Sequence, residues 1–227
     1  MRRAARHLIV LARAPQLGRV KRRLAAAIGD VAARRFYRGM LQGEFARLAG
    51  PGWVPWLALT PARFAARGRQ WPRGWRRFAQ GSGDLGERMA DALARFRPDA
   101  AVLVGADIPD LDAAHIARAF RALDRHDVVL GPATDGGFWL VGVRRGFPRA
   151  ACTARALFQG VRWSSATTLA DTVACLAPRF RVALIDRLGD VDDGPAFAAW
   201  REAQARLAVW PSVRRGMIST KLHGLKR

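Results

Sequence analysis

Apolar residues come in short unbroken runs, each closed by a turn and most followed by a stretch of helical spacing. The strands predicted in this way are 7–12, 53–59, 101–105, 127–130 and 138–143, with two interrupted ones at 75–79, which holds Arg76 and Arg77, and at 180–185, which holds Arg181. Continuous apolarity, rather than strict alternation, predicts strands buried on both faces, as in a parallel sheet. Pro55 inside the second run predicts a place for that strand toward an edge, because proline cannot donate to a ladder. Helices are predicted from near Lys21 to the break at Gly29-Asp30, from Val31 to about Leu48, and from Asp84 to about Phe96. Three more are predicted: from about Asp112 to Asp124, from a Ser164 or Ser165 cap to about Leu176, and from the 189–195 loop to near Trp210. Residues 61–75 carry Pro61, Gly68, Pro72 and Gly74 among many arginines and are predicted to be mostly loop.

Strands alternating with helices indicate an α/β layer fold with a mostly parallel sheet. Between 127 and 143 two strands follow each other with no helix, which predicts one antiparallel member. No internal repeat or linker divides the chain. One domain over 1–210 and a basic tail over 211–227, ordered only if it docks, is the expected organisation.

Composition changes this picture little. The 227 residues are half hydrophobic and carry a formal net charge of +21, from 39 Lys and Arg against 18 Asp and Glu. Such a charge ordinarily suggests nucleic acid. Here the cations are almost all arginine and are spread along the chain without one long block, so no specific nucleic-acid partner is expected. The only lysines are Lys21, Lys221 and Lys226. Cys152 and Cys175 fit neither a metal spacing nor a disulfide framework, and a reduced, cytoplasmic protein is the default. The basic start, Met1-Arg2-Arg3, precedes an apolar run too short for a signal peptide, and no stretch is long enough to span a membrane.

Five loops could carry chemistry. Asp107 follows the 101–105 run, at the carboxyl edge of a sheet where ligands bind in open α/β folds. It could grip a phosphate-bound metal, or it could only shape the turn into the next helix. Arg13, Gly18, Arg19, Lys21, Arg22 and Arg23 crowd a predicted helix start, where anions bind, although the glycines of a Walker or dinucleotide loop are missing. Lys21 is a compact point charge in a chain that otherwise uses arginine. Gln80–Met89 has Gly81, Gly83 and Gly86 around a strand-to-helix turn, with Asp84 a candidate cap. Asp135-Gly136-Gly137 is either a tight connection or part of a substrate edge. Asp190-Val191-Asp192-Asp193 is an acidic cluster in a basic chain; it reads as a capped turn or as a second carboxylate for the cation at Asp107. No Ser-His-Asp or Cys-His set stands out, and His115 and His126 read as surface or packing residues.

Six motifs in this order resemble one family: Ala12-Arg13-Ala14-Pro15 with Gly18-Arg19-Val20-Lys21; Gln80-Gly81 with Asp84-Leu85-Gly86-Glu87-Arg88-Met89; Gly105 with Asp107-Ile108-Pro109-Asp110-Leu111; Gly131-Pro132 with Asp135-Gly136-Gly137; Trp163-Ser164; and Asp190-Val191-Asp192. Over about residues 7–207 the chain is similar to the bacterial GT-A-fold nucleotide-diphospho-sugar transferase-like family. Some members of that family are labelled arsenosugar-biosynthesis glycosyltransferases. The resemblance implies a single Rossmann-like GT-A domain, a mixed, mostly parallel sheet flanked by helices.

It also assigns roles. Ala12, Arg13, Pro15, Gly18 and Lys21 go to the phosphates, and Gln80, Gly81, Asp84 and Gly86 to the base and ribose. Asp107 becomes the aspartate of a shortened metal motif, and Asp192 the second ligand for Mg²⁺ or Mn²⁺. Gly136, Gly137, Trp163 and Ser164 face the substrate, and Asp135 is a candidate for handling an acceptor hydroxyl. Two departures stand out. Lys21-Arg22-Arg23-Leu24 replaces the usual Lys-Thr-Arg-Leu, removing a hydroxyl, and Ala106 and Ile108 flank Asp107 in place of Thr and Cys. The expected activity is glycosyl transfer from a nucleotide sugar to a small-molecule acceptor. The rivals are nucleotidyl transfer, with an NTP and a phosphorylated small molecule, and a basic nucleic-acid-binding protein. Oligomeric state is not legible.

Overall fold

Leu8, Ile9 and Val10 have no exposed surface, and they form the middle of β1 (Arg6–Arg13) in a computed structural model that describes residues 5–66 and 71–219. Their side chains alternate between two cores, Leu8 and Val10 on one face and Ile9 on the other, as the two-residue period of a strand requires. That explains the unbroken apolar run: β1 is covered on both sides. Each such buried side chain stabilises by about 1.5–3 kcal/mol relative to leaving it in water.

Six further strands complete the sheet: β2 (Val54–Thr60), β3 (Arg76–Ala79), β4 (Ala100–Gly105), β5 (Val128–Pro132), β6 (Phe138–Val143) and β7 (Val182–Leu184). Their order is β3-β2-β1-β4-β6-β5-β7. All pairs are parallel except those of β6, which runs antiparallel to both β4 and β5. The carboxyl ends of the other six strands therefore share one edge with the amino end of β6. The centre of β6 is tight. A Cβ on Gly142 would stand 2.8 Å from Val129 Cγ1, 3.0 Å from Val102 Cγ2 and 3.2 Å from the Ala101 carbonyl.

One face of the sheet packs against α2 (Asp30–Arg47) and α5 (Ala113–Ala122), through Tyr37, Phe45, Ile116 and Phe120. The other packs against α4 (Leu85–Ala94), α6 (Ala154–Phe158) and α7 (Thr168–Leu176), through Met89, Leu93, Leu157 and Leu176. The short α1 (Arg22–Ile28) precedes α2, and α8 (Gly194–Ser219) follows the last strand. Among the described residues no helix is long and apolar enough to cross a membrane. Both cysteines are unpaired.

The α/β class, the mixed sheet and its one reversed strand are as the sequence predicts. Several details differ. β2 is flanked by β1 and β3, so it is not an edge strand; Pro55 is tolerated because the β3 ladder begins one residue later, at Trp56. Residues 61–75 include a one-turn helix, α3 (Arg63–Ala66). A 3-10 turn (Arg149–Ala151) and α6 fill a stretch where the apolar period gives no signal; the cap is Thr153, whose hydroxyl accepts from Ala156 N–H at 3.2 Å. α7 starts after Thr167 rather than after a serine cap, because Thr168 Oγ1 accepts from Ser165 N–H and donates to the Arg162 carbonyl, adding a turn. α8 runs past Trp210 to Ser219. Gly68, Lys221, Lys226 and the rest of 220–227 lie outside the described residues, as do Met1–Ala4.

Candidate active site

The loop after β1 is clamped from behind. Tyr37 Oη accepts from the Arg13 N–H at 3.3 Å and donates to the Arg13 carbonyl at 3.1 Å. Eight residues on, Lys21 takes φ +47° and ψ +49° at the N-cap of α1, a region that non-glycine residues rarely occupy. The turn sends its side chain inward, where only 4% of it is exposed. A buried ammonium demands partners, and Lys21 has two. Its Nζ donates to Asp107 Oδ2 at 3.0 Å and to Asp192 Oδ1 at 3.2 Å.

Asp107 sits just beyond β4, as the apolar run predicts. Asp192 arrives from the far end of the chain. After β7 the backbone continues beside the end of β5, with Leu188 bonded to the Pro132 carbonyl and to Thr134 N–H. Val191, 4% exposed, then anchors the acidic stretch, and its N–H donates to the Asp107 carbonyl at 3.3 Å. Arg23 also pairs with Asp192. The two carboxylates named from the sequence as metal ligands thus stand side by side.

Asp107 is the wall between two cavities. On one side lies a pocket of about 330 Å³ lined by Arg13, Arg19, Lys21, Arg22, Arg23, Tyr37 and Asp192. Its positive charge comes from side chains, since α1 has only seven residues. On the other side lies a cleft of about 240 Å³ that holds Asp135, Gly137, Trp163, Ser164 and Asp190. Asp135 is fixed by a 2.9 Å bond from Gly137 N–H to its Oδ1. Gly136 must be glycine: its φ is +88°, and a Cβ there would lie 2.1 Å from the Ala166 carbonyl.

The Gln80–Gly86 loop lies at the same sheet edge; Leu85 lines the cleft, but Gln80, Gly81, Asp84 and Gly86 line neither cavity. Gln80 Nε2 donates to the Ala12 and Ala58 carbonyls at 3.1 and 2.9 Å, tying strand ends together, and its Oε1 accepts from Arg88. Asp84 caps α4 in a reciprocal box with Glu87. Gly86 makes room for Trp163, whose Cζ2 would be 2.8 Å from a Cβ at that position. Pro15 faces a separate depression with Arg34 and Arg38. Gly18, at φ +67°, lets the first loop turn back. His115 packs edge-on against Trp139 and bonds Asp112, which fits its packing role.

Four residues of the site escape sequence reasoning. Arg23 appears only as one of several basic residues, yet it holds Asp192. Tyr37 and Glu44 lie on the buried face of α2, where their spacing reads as ordinary core. Glu44 is fully buried and neither carboxyl oxygen has a partner. Burial, reinforced by the Asp107 charge, pushes its carboxyl well above the usual range; the same two causes push the Tyr37 phenol up. Asp190 lies in the acidic stretch, from which the resemblance singles out only Asp192. Burial and the neighbouring Asp107 and Asp135 carboxylates raise it. The one signal for Asp190 is the Asp-Val-Asp alternation, which puts Asp190 and Asp192 on the same side of an extended segment with Val191 turned inward.

A hard divalent cation takes one or two protein carboxylates and completes its shell with phosphate and water. The Asp107 and Asp192 oxygens converging on one buried ammonium fit that donor set. Among the described residues no cluster of three or more His, Cys, Asp or Glu has metal-binding geometry, so a cation held here would need phosphate and water oxygens for the rest of its shell.

Comparisons with known proteins bear on the fold. A protein of Desulfovibrio desulfuricans G20, provisionally named a nucleotide-diphospho-sugar transferase, is 29% identical, with 84% of each chain covered and a TM-score of 0.73. The inositol-1-phosphate CTP transferase of T. maritima shares the fold at 13% identity, 86% and 93% coverage and a TM-score of 0.52. The 4-diphosphocytidyl-2C-methyl-D-erythritol synthase of Anaerococcus prevotii DSM 20548 does so at 10% identity, 83% and 90% coverage and a TM-score of 0.52. The fold suits nucleotide-sugar transferases and nucleotidyltransferases alike. No curated protein matches the chain. The family described as "Uncharacterized protein conserved in bacteria (DUF2064)" matches residues 45–165, and the chain belongs to that family, whose fold is nucleotide-diphospho-sugar transferase-like.

Proposed function

We propose that the protein transfers a glycosyl group from a nucleotide-diphosphate sugar to a small-molecule acceptor, with Mg²⁺ or Mn²⁺. The observation that carries this reading is the position of Asp107, paired with Asp192 at the wall between a cationic pocket and an acidic cleft. A diphosphate fits the cationic side, and the transferred sugar and its acceptor fit the other. Asp107 and Asp192 would hold the cation, which would supply positive charge to the diphosphate and to the departing nucleoside diphosphate.

Lys21, Arg13 and Arg23 donate to the phosphate oxygens, where negative charge grows as the bond breaks. The bond between the sugar's anomeric carbon and the phosphate oxygen breaks, and a bond from that carbon to the acceptor oxygen forms. Asp135 takes the acceptor's proton. Gly136, Gly137, Trp163 and Ser164 shape the sugar and acceptor side. Ala12 and Gly18 carry the first loop toward the phosphates, and Gln80 braces the start of that loop through the Ala12 carbonyl. The partners in this reading are a nucleotide sugar and a small-molecule acceptor, with no specific nucleic acid and a cytoplasmic setting.

The test is thermal unfolding of the protein with a panel of nucleotides and nucleotide sugars, with and without Mn²⁺, followed by turnover. The expected result is stabilisation by a nucleotide with Mn²⁺, its loss in Asp107→Ala, and release of nucleoside diphosphate from one nucleotide sugar. Pyrophosphate release from a nucleoside triphosphate, with no transfer from any nucleotide sugar, overturns glycosyl transfer. Stabilisation that survives Asp107→Ala overturns the site.

A further inference from the structure

The charges around Asp107 are sorted. About one residue in six of this chain is Lys or Arg. Five of them, Arg13, Arg19, Lys21, Arg22 and Arg23, line the pocket on one side of Asp107. Among the described residues lining the cleft on the other side there is no Lys, Arg or His, while three carboxylates, Asp107, Asp135 and Asp190, face it. In a chain of formal net charge +21, a cleft lined by carboxylates and no cationic side chain is a local exception.

The remaining lining is of two kinds. Leu85, Met89, Phe138 and Trp163 give it an apolar wall, and the last two rings stand 6.3 Å apart at 64°. Ser164, Ser165 and Thr168 add hydroxyls. Ionised carboxylates only accept hydrogen bonds. An occupant must therefore bring O–H or N–H donors to one side and carbon surface to the other. A cavity of about 240 Å³ is smaller than the roughly 300–1,000 Å³ of pockets for drug-sized ligands, so the occupant is small.

We infer that the acceptor seated in this cleft is a small uncharged or cationic molecule, a polyol or amine with an apolar face, and that phosphorylated and carboxylated molecules are refused. The inference rests on the reading of Asp107 and its pockets given above and deepens it. A second substrate that carries a phosphate, as nucleotidyl transfer to a sugar phosphate requires, would have to set that charge beside Asp135 and Asp190, with no cationic side chain lining the cleft and the Lys21 ammonium already committed to Asp107 and Asp192. Phosphate has a natural seat on the opposite side of Asp107. Charge thus selects orientation as well as identity: the anionic donor enters one pocket and the uncharged partner the other.

The experiment uses the full chain and reads the cleft alone, through Trp163. Incorporation of 5-fluorotryptophan gives each of the eight tryptophans a ¹⁹F resonance, and Trp163→Phe, or Trp163→Tyr if that variant does not fold, assigns the one at the cleft. Two sets of probes are titrated without metal. The first is caesium against iodide, read as the part of the tryptophan quenching that Trp163→Phe removes. The second is glucosamine, glucose, glucose 6-phosphate and glucuronate, read at the Trp163 resonance. The expected result is that caesium quenches Trp163 better than iodide although the protein's net charge favours iodide. Asp135→Asn with Asp190→Asn should erase that preference. Glucosamine and glucose should act at concentrations about tenfold or more below the two anions, as expected for a field set by nearby carboxylates. Iodide quenching as well as caesium overturns the inference, and so does glucose 6-phosphate or glucuronate acting at or below the concentration of glucosamine. Loss of the nucleotide–Mn²⁺ response with the caesium preference intact would instead condemn the transfer reading and leave the charge class standing.

Discussion

The ammonium of Lys21 lies 3.0 Å from Asp107 Oδ2, a contact between residues 86 apart in sequence. It couples the loop after β1 to the end of β4, and the same ammonium reaches Asp192. Lys21→Met leaves both carboxylates accessible to water, so the fold should survive. Binding of a nucleoside diphosphate with Mg²⁺, measured by calorimetry, should weaken by about tenfold to a hundredfold, as expected for losing a hydrogen bond to a charged group at about 1.5–3 kcal/mol. Lys21→Arg should not rescue it, because a planar guanidinium does not fit a slot where 4% of the side chain is exposed. Unchanged affinity in Lys21→Met would remove Lys21 from the phosphate site.

Tyr37→Phe removes one oxygen that serves both backbone groups of Arg13. The loss should cost about 1–2 kcal/mol in urea unfolding, since one donor and one acceptor lose a partner. Amide exchange should quicken in the loop after β1 while the β4 amides stay protected. Equal quickening in both would mean that Tyr37 supports the core rather than the loop.

Glu44 sets a pH dependence. Its carboxyl is held protonated well above the usual range by burial and by Asp107. Above the ordinary glutamate value the unfolded chain gives up this proton and the folded chain keeps it. Stability therefore declines as pH rises toward the folded-state pKa, with a slope of roughly 1.4 kcal/mol per pH unit for one proton. Glu44→Gln cannot titrate and should flatten that part of the decline. Urea unfolding of both proteins at several pH values tests this, and parallel curves would refute it.

Gly136→Ala places a Cβ 2.1 Å from the Ala166 carbonyl, at a backbone with φ +88°. The loop carrying Asp135 must shift, at a cost of about 1–3 kcal/mol. Turnover should fall while nucleotide–metal binding holds, because the cationic pocket is built from other loops. A parallel loss of both would place the damage in the sheet.

What the sequence discloses follows from what each residue does. The buried runs at 7–12 and 101–105 are visible because strands covered on both faces have no polar alternation to hide in. Asp107 and Lys21 are visible as exceptions, an acid ending an apolar run and the rare lysine in an arginine-rich chain. Asp192 is paired with them only through resemblance, since no local pattern measures its distance to Asp107. Tyr37 and Glu44 are hidden because a helix face buries functional and packing residues with the same period. The 3-10 turn and α6 are hidden because short helices carry too few turns for a period. Gln80 looks like a ligand contact in sequence, and it is the structure that has its amide spent on two strand ends.

Gly142 has a bearing on how the chain assembles without error. Antiparallel strands can pair out of step, and a slip of one residue is self-correcting because it turns every side chain of β6 to the wrong face. A slip of two keeps the faces right and escapes that check. It would bring Leu140 or Arg144 into the slot where a bare Cβ would come within 3.2 Å of Val129, Val102 and Ala101. The missing side chain thus acts as a key that admits one alignment of β6 between its neighbours. Asp135, three residues ahead of β6, would otherwise be carried about 7 Å along the sheet edge, out of reach of any chemistry at Asp107.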